Sequence, residues 1–330
     1  MKHWIALSLL VAAFHAGAAQ AQKLSERSEC EAINGTWTLQ TGQPARVATC
    51  ILTRSYTLPS GTRLTVNPGI DISVRQGGQL TIDGELDLLD TTTLELRGGN
   101  VFNNGRIITD GRASVIHNSG WLYNYSELAM DGDLIVNYSR IDPNSGARYC
   151  LMNFGVISAF SGSNIHSRGC IDGQTTGRLH LHRGAKMYNK ADAIYRGMRD
   201  RIDGEFENWI LGYAEFGNTT IGTLGAISNR GRIRATRDFF NINEDADLTV
   251  HYGGEFLVQA STFRVDGIAS FAGGDLDTTQ RTVAIQVGTH GAIRMTGESV
   301  ARHSSLTTTV ANDGGIGVEC KATWQQTASH

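Results

Sequence analysis

One phrase constrains this chain more than any other. Asn-x-Gly-x-Ile stands in "VFNNGRIITDG" (residues 101–111) and returns as "NFGVI" at 153–157, "NRGRI" at 229–233 and, with leucine, "NSGWL" at 118–122. Two looser copies, "NYSEL" at 124 and "NYSRI" at 137, replace the glycine with serine. Glycines punctuate the rest, mostly 6 to 9 residues apart or about double that. Between them apolar residues alternate with polar ones. In "QLTIDGELDLL" Leu80, Ile82, Leu86 and Leu88 all fall on even numbers, and "TLELR" and "LHLHR" follow the same rule. Period two means short strands with one face buried. "DGEL" at 83, "DGDL" at 131 and "DGEF" at 203 are turn chemistry feeding such strands.

Many short strands admit two architectures. Antiparallel hairpins would build a sandwich or barrel. A parallel β-helix would wind the strands into stacked coils, about three strands to a coil. The repeated phrase selects the second. Stacked coils bring equivalent residues to about 4.8 Å, so an Asn at a turn can bond its amide to the Asn above and below. A glycine two residues later supplies positive φ, and the Ile after it points inward. The fold class expected is therefore all-β, a parallel β-helix with a disulfide-closed N-terminal cap. Composition agrees: glycine is abundant, with 39 residues, and only 4 prolines occur, all before residue 144. Proline would delete a ladder donor on every coil.

The cysteines stand at 30, 50, 150, 170 and 320. A coil of about 20 to 22 residues would bring residues one coil apart to about 5 Å, inside disulfide range. Pairs Cys30–Cys50 and Cys150–Cys170 are expected, although a disulfide across any loop permits the same spacing. Cys320 is left as a buried thiol, an intermolecular bridge or a partner in another connectivity.

The first residues, "MKHWIALSLLVAAFHAGAAQAQ", read as a secretory signal peptide cut after Ala21. The apolar run is too short to span a bilayer, and no later run reaches 18 apolar residues. The expected location is secreted, periplasmic or cell-surface, where disulfides persist, with no membrane span. A net charge of -3 disfavours nucleic acid as a partner. The expected segments are a signal peptide (1–21), an N-terminal cap (22–57), a solenoid (58–300) with an irregular insertion at 176–215, and a terminal cap or tail (301–330).

Over residues 58–300 the chain resembles secreted bacterial parallel β-helix repeat proteins of the pectin-lyase-like and adhesin-like kind. "NNGRI", "NFGVI", "NRGRI" and the glycine rhythm carry that resemblance. It implies architecture only: the fold hosts polysaccharide lyases, glycosidases, phage tailspikes and non-catalytic surface proteins alike. No catalytic residue is carried over.

The candidate chemistry sits in "GRLHLHRGAKMYNKADAIYRGMRDR" (177–201). Seven Lys or Arg against Asp192 and Asp200 give it a local charge of +5. As a strand, 178–182 would present Arg178, His180 and His182 on one face and Leu179 and Leu181 on the other. With Arg183 these are the candidate ligand-binding residues, suited to uronates, sulfates or phosphates. Two His on one strand also suggest a metal, and a solvated face with an irregular connection explains the same stretch. An irregular segment between regular halves would loop out on the lateral wall.

The pairs Asp131/Asp133, Asp245/Asp247 and Asp275/Asp277 offer carboxylates for glycoside hydrolysis or calcium, but are also ordinary turn composition. Threonine clusters ("DTTTLEL", "GNTTIGT", "LTTTV") show no register for an ice-binding face. Trp121, Tyr123 and Tyr125 suit sugar stacking or, better, a core ladder. No nucleophile, nucleotide or zinc motif occurs. The reading is a non-catalytic solenoid with a structural or surface-binding role toward an acidic polysaccharide or cell-surface component, with no metal, cofactor or catalytic residue assigned. The alternative is a lyase or glycosidase acting on an acidic polysaccharide. Ice binding is a distant third.

Overall fold

A computed structural model describes residues 20–39, 47–137, 149–303, 306–310, 314–319 and 322–326. Alternating strands of about four residues wind into three sheets of 13, 13 and 14 strands, in which each strand pairs with the third strand after it. Strands of adjoining coils pair in parallel throughout the described residues, with two isolated antiparallel bridges at corners, Arg75 to Gly98 and His251 to Gly273. The exception is a hairpin of Gly35–Leu39 against Ala48–Leu52, which opens the second sheet. The protein is thus a parallel β-helix, as the sequence predicts. A strand such as Arg106–Thr109 belongs to the first sheet, Ser114–Ser119 to the second and Leu122–Asn124 to the third.

Period two decides what is inside. Ile107, Leu122, Ile157 and Ile233 are each at most 1 % exposed. The core is largely aliphatic in the early coils. Past residue 195 it turns aromatic, with Phe206, Phe216, Phe240, Phe256, Phe263 and Phe271 fully buried. Their rings meet edge to face or tilted at 5.0 to 6.5 Å, the geometry ring quadrupoles favour.

The repeated asparagines form two buried ladders, at different corners. Asn103 donates to Asn124 and Asn124 to Asn153, each at 2.7 Å, where the third sheet turns into the first. Asn189 donates to Asn208 and Asn208 to Asn229, each at 2.8 Å, where the second sheet turns into the third. The same amides also donate to main-chain carbonyls of the adjoining coil, among them Glu127, Val156, Arg178 and Glu255. Each ladder thus satisfies polar backbone at a buried corner. "NSGWL" departs from the pattern. His117 occupies the buried position and bonds the Gly120 carbonyl at 2.8 Å, while Asn118 faces out to Glu95 and Asn137.

The glycine of the phrase does other work than expected. Gly105, Gly155 and Gly231 do not have positive φ; of the four copies only Gly120 does. A Cβ at Gly105 would fall on the Gly84 carbonyl oxygen, at Gly155 on that of Ser126, and at Gly231 on that of Trp209. Glycine is required because one coil's corner rests directly on the backbone of the coil below.

Both expected disulfides form, by different geometries. Cys150 and Cys170 lie one coil apart, with Cα atoms at 4.7 Å. Cys30 lies on the short helix Arg27–Ala32 and clamps it to Cys50 of the strand Ala48–Leu52, with Cα atoms at 5.6 Å. Cys320 and residues 1–19, most of the expected signal peptide, lie outside the described residues.

The segment boundaries need correction. Gln20–Leu24 already pairs with Thr62–Val66, and strands run on to Thr323–Gln326, so solenoid pairing extends past 58 and past 300. The expected irregular insertion at 176–215 is regular: six strands from Arg178–Leu181 to Tyr213–Phe216 take their places in the three sheets. Its rhythm is masked in sequence because Asn189 and Asp200 fill inward positions where other coils place residues such as Val136 and Ile157.

Two substitutions test the corners. Gly155→Ala should destabilise the fold by about 1–3 kcal/mol through overpacking. Asn124→Ala, which leaves buried partners unpaired, should cost about 1–3 kcal/mol. Urea unfolding followed by circular dichroism reads both. Wild-type midpoints for either variant would contradict the corner packing.

Candidate functional site

The expected site residues divide between wall and corner. Arg178 and His180 point outward from the strand Arg178–Leu181, while Leu179 and Leu181 are buried. His182 and Arg183 follow the strand at the corner toward the second sheet, where the His182 ring stacks on Phe160 at 4.6 Å and lies 3.6 Å from His180. Arg178 is therefore not brought to Arg183. The register sets it beside Arg199 of the next coil, and His180 beside Arg201.

Those neighbours line a shallow open groove of ≈ 600 Å³ on the first sheet, bounded by Val156, Asn218, Thr220 and Phe239. Charge along its outer column is distinctive. Earlier coils alternate sign: Arg63, Glu85, Arg106 and Glu127 stack in register, and Arg63–Glu85 and Arg106–Glu127 pair at 3.1 and 2.9 Å. The column then continues Val156, Arg178, Arg199, Asn218. Two exposed arginines adjoin with no carboxylate between them. Like charges directly opposite destabilise a sheet, so this pair is not explained by the fold.

Much of the remaining +5 is neutralised locally. Lys186 pairs with Glu205 at 2.7 Å, Arg196 with Asp172 at 3.5 Å, and Arg201 with Asp203 at 2.6 Å. Asp203 also accepts from His180 at 3.0 Å. Burial acts to raise the Asp203 carboxyl, but the bonds from Arg201 and His180 outweigh it and hold it below the ordinary range. Burial, with His180 close by, lowers the His182 pKa, so that ring charges only in stronger acid than a free imidazole.

Beneath the groove lies an unexpected acid. Asp200 faces inward between Leu179 and Thr219, in a column that elsewhere carries residues such as Ile107, Leu128, Ile157 and Phe240. It is 4 % exposed and accepts from the buried Tyr195 hydroxyl at 2.8 Å. Burial pushes its carboxyl up to about 7, against smaller lowering contributions from Tyr195, the Leu179 backbone and Thr219. Burial and the neighbouring Asp200 also push the Tyr195 hydroxyl well up. Alternation alone could have flagged Asp200, since Ile202 two residues on is a core residue; with coils of unequal length, nothing in the sequence singles out Arg199 as the neighbour of Arg178.

Other sequence candidates resolve differently. Phe102 and Tyr123 are outside the core on the third sheet's outer wall, and Tyr125 and Phe154 stand at the corner that follows it. Their rings stack on one another at 4.9 to 6.1 Å. The expectation of a core ladder is corrected: they form an exterior ladder in which the rings stack chiefly on one another. Asp131 and Asp245 sit at corners, so only Asp275 and Asp277 share a strand face; Asp275 takes Arg302 at 3.3 Å and Asp277 takes Thr279 at 2.8 Å. No outward column of the described strands is filled with threonine. Among the described residues no group of three His, Cys, Asp or Glu side chains could hold a metal, and no helix is long and apolar enough to cross a membrane.

No family model matches the chain, and no curated protein does. Among solved structures it is similar to the crystal structure of a TibC-catalysed, hyper-glycosylated TibA fragment. The two are 13% identical, with a TM-score of 0.34, over 93% of this chain and 97% of that one.

Asp200 sets a pH dependence. Its carboxyl titrates near the ordinary 3.8 when unfolded and at about 7 when folded, so between those values the folded state binds more protons. Stability from this group is complete below about pH 4, falls through pH 7, and is flat above, a loss of order 4 kcal/mol. Asp200→Asn should remove that fall. Urea midpoints at pH 5 and pH 8 check it: parallel profiles for variant and wild type would refute a buried, proton-holding Asp200.

Proposed function

We propose that this protein is a non-catalytic surface solenoid that binds an acidic polysaccharide along the wall of its first sheet. The observation that carries the reading is the break in charge alternation. Four coils neutralise themselves Arg-Glu-Arg-Glu, and past Val156 Arg178 and Arg199 stand together over a groove with no ion pair to either among the described residues. Two guanidinium groups about one coil spacing apart suit carboxylate or sulfate oxygens in bidentate contact. Thr220 continues the groove with a neutral hydroxyl that fits a sugar hydroxyl, while the Asn218 amide is held by Asp238 at 3.0 Å. Secretion, suggested by the N-terminal residues and consistent with the two disulfides, would place such a wall where polysaccharides are met.

The expected site residues then differ in weight. Arg178 belongs to the binding wall. His180 shares the groove but is held by Asp203. His182 and Arg183 flank it at the corner.

Retention on immobilised polygalacturonate tests the proposal. Arg178→Ala with Arg199→Ala should weaken retention about tenfold or more at low salt, as expected for losing two charge-assisted contacts. Raising salt should weaken wild-type retention progressively. Arg183→Ala should leave retention near wild type. Absence of retention at low salt would refute the reading, and release of unsaturated or reducing ends would make the protein an enzyme instead.

A further inference from the structure

We infer that Asp200 is the proton-dependent element of this groove: a neutral carboxyl beneath the arginines leaves the wall fully cationic, and an ionised one withdraws part of that charge from an approaching polyanion. The inference rests on the groove reading and adds regulation to it.

The geometry separates Asp200 from every other acid of the region. Asp203 and Glu205 are committed to cations on the surface. Asp200 lies in the core, yet forms part of the groove floor. The charged or titratable groups facing it can be named strand by strand. Arg178 and His180 flank Leu179 on the coil below, and Arg199 and Arg201 are its own chain neighbours. On the coil above stand Asn218, Thr219 and Thr220, and the Asn218 amide donates to the Asp238 carboxylate at 3.0 Å. Inside, Tyr195 is the titratable contact, with Phe206 and Phe216 packed on its ring. No cation bonds the Asp200 carboxylate among the described residues, so its charge, once formed, acts on the groove from below with little screening.

The sign follows from linkage. A polyanion held by Arg178 and Arg199 disfavours a second negative charge beneath them, so it favours protonated Asp200. Protonated Asp200 favours the polyanion by the same factor. Raising pH through the Asp200 transition must weaken binding. The ligand does not cause this, since its uronates ionise near 4 and are fully charged above pH 6. Burial and the nearby His180 lower the His182 pKa below that of a free imidazole, and the double His variant below isolates any share these rings have.

Wild-type retention on polygalacturonate at fixed low salt should weaken about fivefold between pH 6 and pH 8. Asp200→Asn should bind at pH 8 as wild type does at pH 6, with a flat profile between. His180→Gln with His182→Gln should keep the fall. A second measurement needs no variant: the wild-type Asp200 carboxyl resonance should titrate near neutrality and shift to higher pH when polygalacturonate saturates the protein. If wild type binds but Asp200→Asn shows the same fall, or if saturating polymer leaves the midpoint unmoved, this inference fails and the groove stands. If wild type does not bind at any pH, the groove reading itself fails.

Discussion

Everything here depends on parallel backbone pairing from one coil to the next. Each coil hydrogen-bonds to its two neighbours, so residues one coil apart are held at about 4.8 Å. That constraint turns a linear repeat into columns. A column of asparagine becomes a ladder, a column of leucine or phenylalanine becomes the core, and a column of glycine lets one corner rest on another. Proline is excluded from such a ladder for the same reason.

Columns also determine electrostatics. A residue on an outer wall answers first to the residues one coil above and below, and only then to its sequence neighbours. Arg63, Glu85, Arg106 and Glu127 are each about 21 residues apart and make a neutral stripe. Arg178 and Arg199 obey the same register with the sign rule broken. Inside, Asp200 breaks a second rule, by setting a carboxyl in a column where most coils place apolar groups such as Ile157, Leu179 and Phe240. Two violations meet at one groove, one on each side of the same sheet. Consistency elsewhere in the chain makes that coincidence informative.

The aromatic residues show why burial must be read from register and not from residue type. Trp121, Tyr123 and Tyr125 are hydrophobic enough for a core, yet Leu122 and Asn124 alternate with them and are the buried set. Whichever set the corner turns inward is the core. The corner here is set by the Asn103–Asn124–Asn153 ladder, so the rings are left outside to stack on each other.

The sequence by itself determined the fold class, because period-two alternation, glycine spacing and a repeated Asn turn are local properties that survive without coordinates. It also determined both disulfide pairs, although Cys30–Cys50 arises from a helix clamp rather than from stacked coils. It located the basic stretch at 177–201, but misread it as irregular, since the polar inward residues Asn189 and Asp200 hide alternation. Only the tertiary structure decided the partners: Arg199 beside Arg178, Asp203 holding His180, and Asp200 beneath them with Tyr195. The reason is that a partner one coil away depends on the length of every intervening corner. Coils here range from 19 to 29 residues between ladder asparagines, because corners of different length feed strands of the same register, so no fixed count along the chain assigns Arg178 its partner or places Asp200 under the groove.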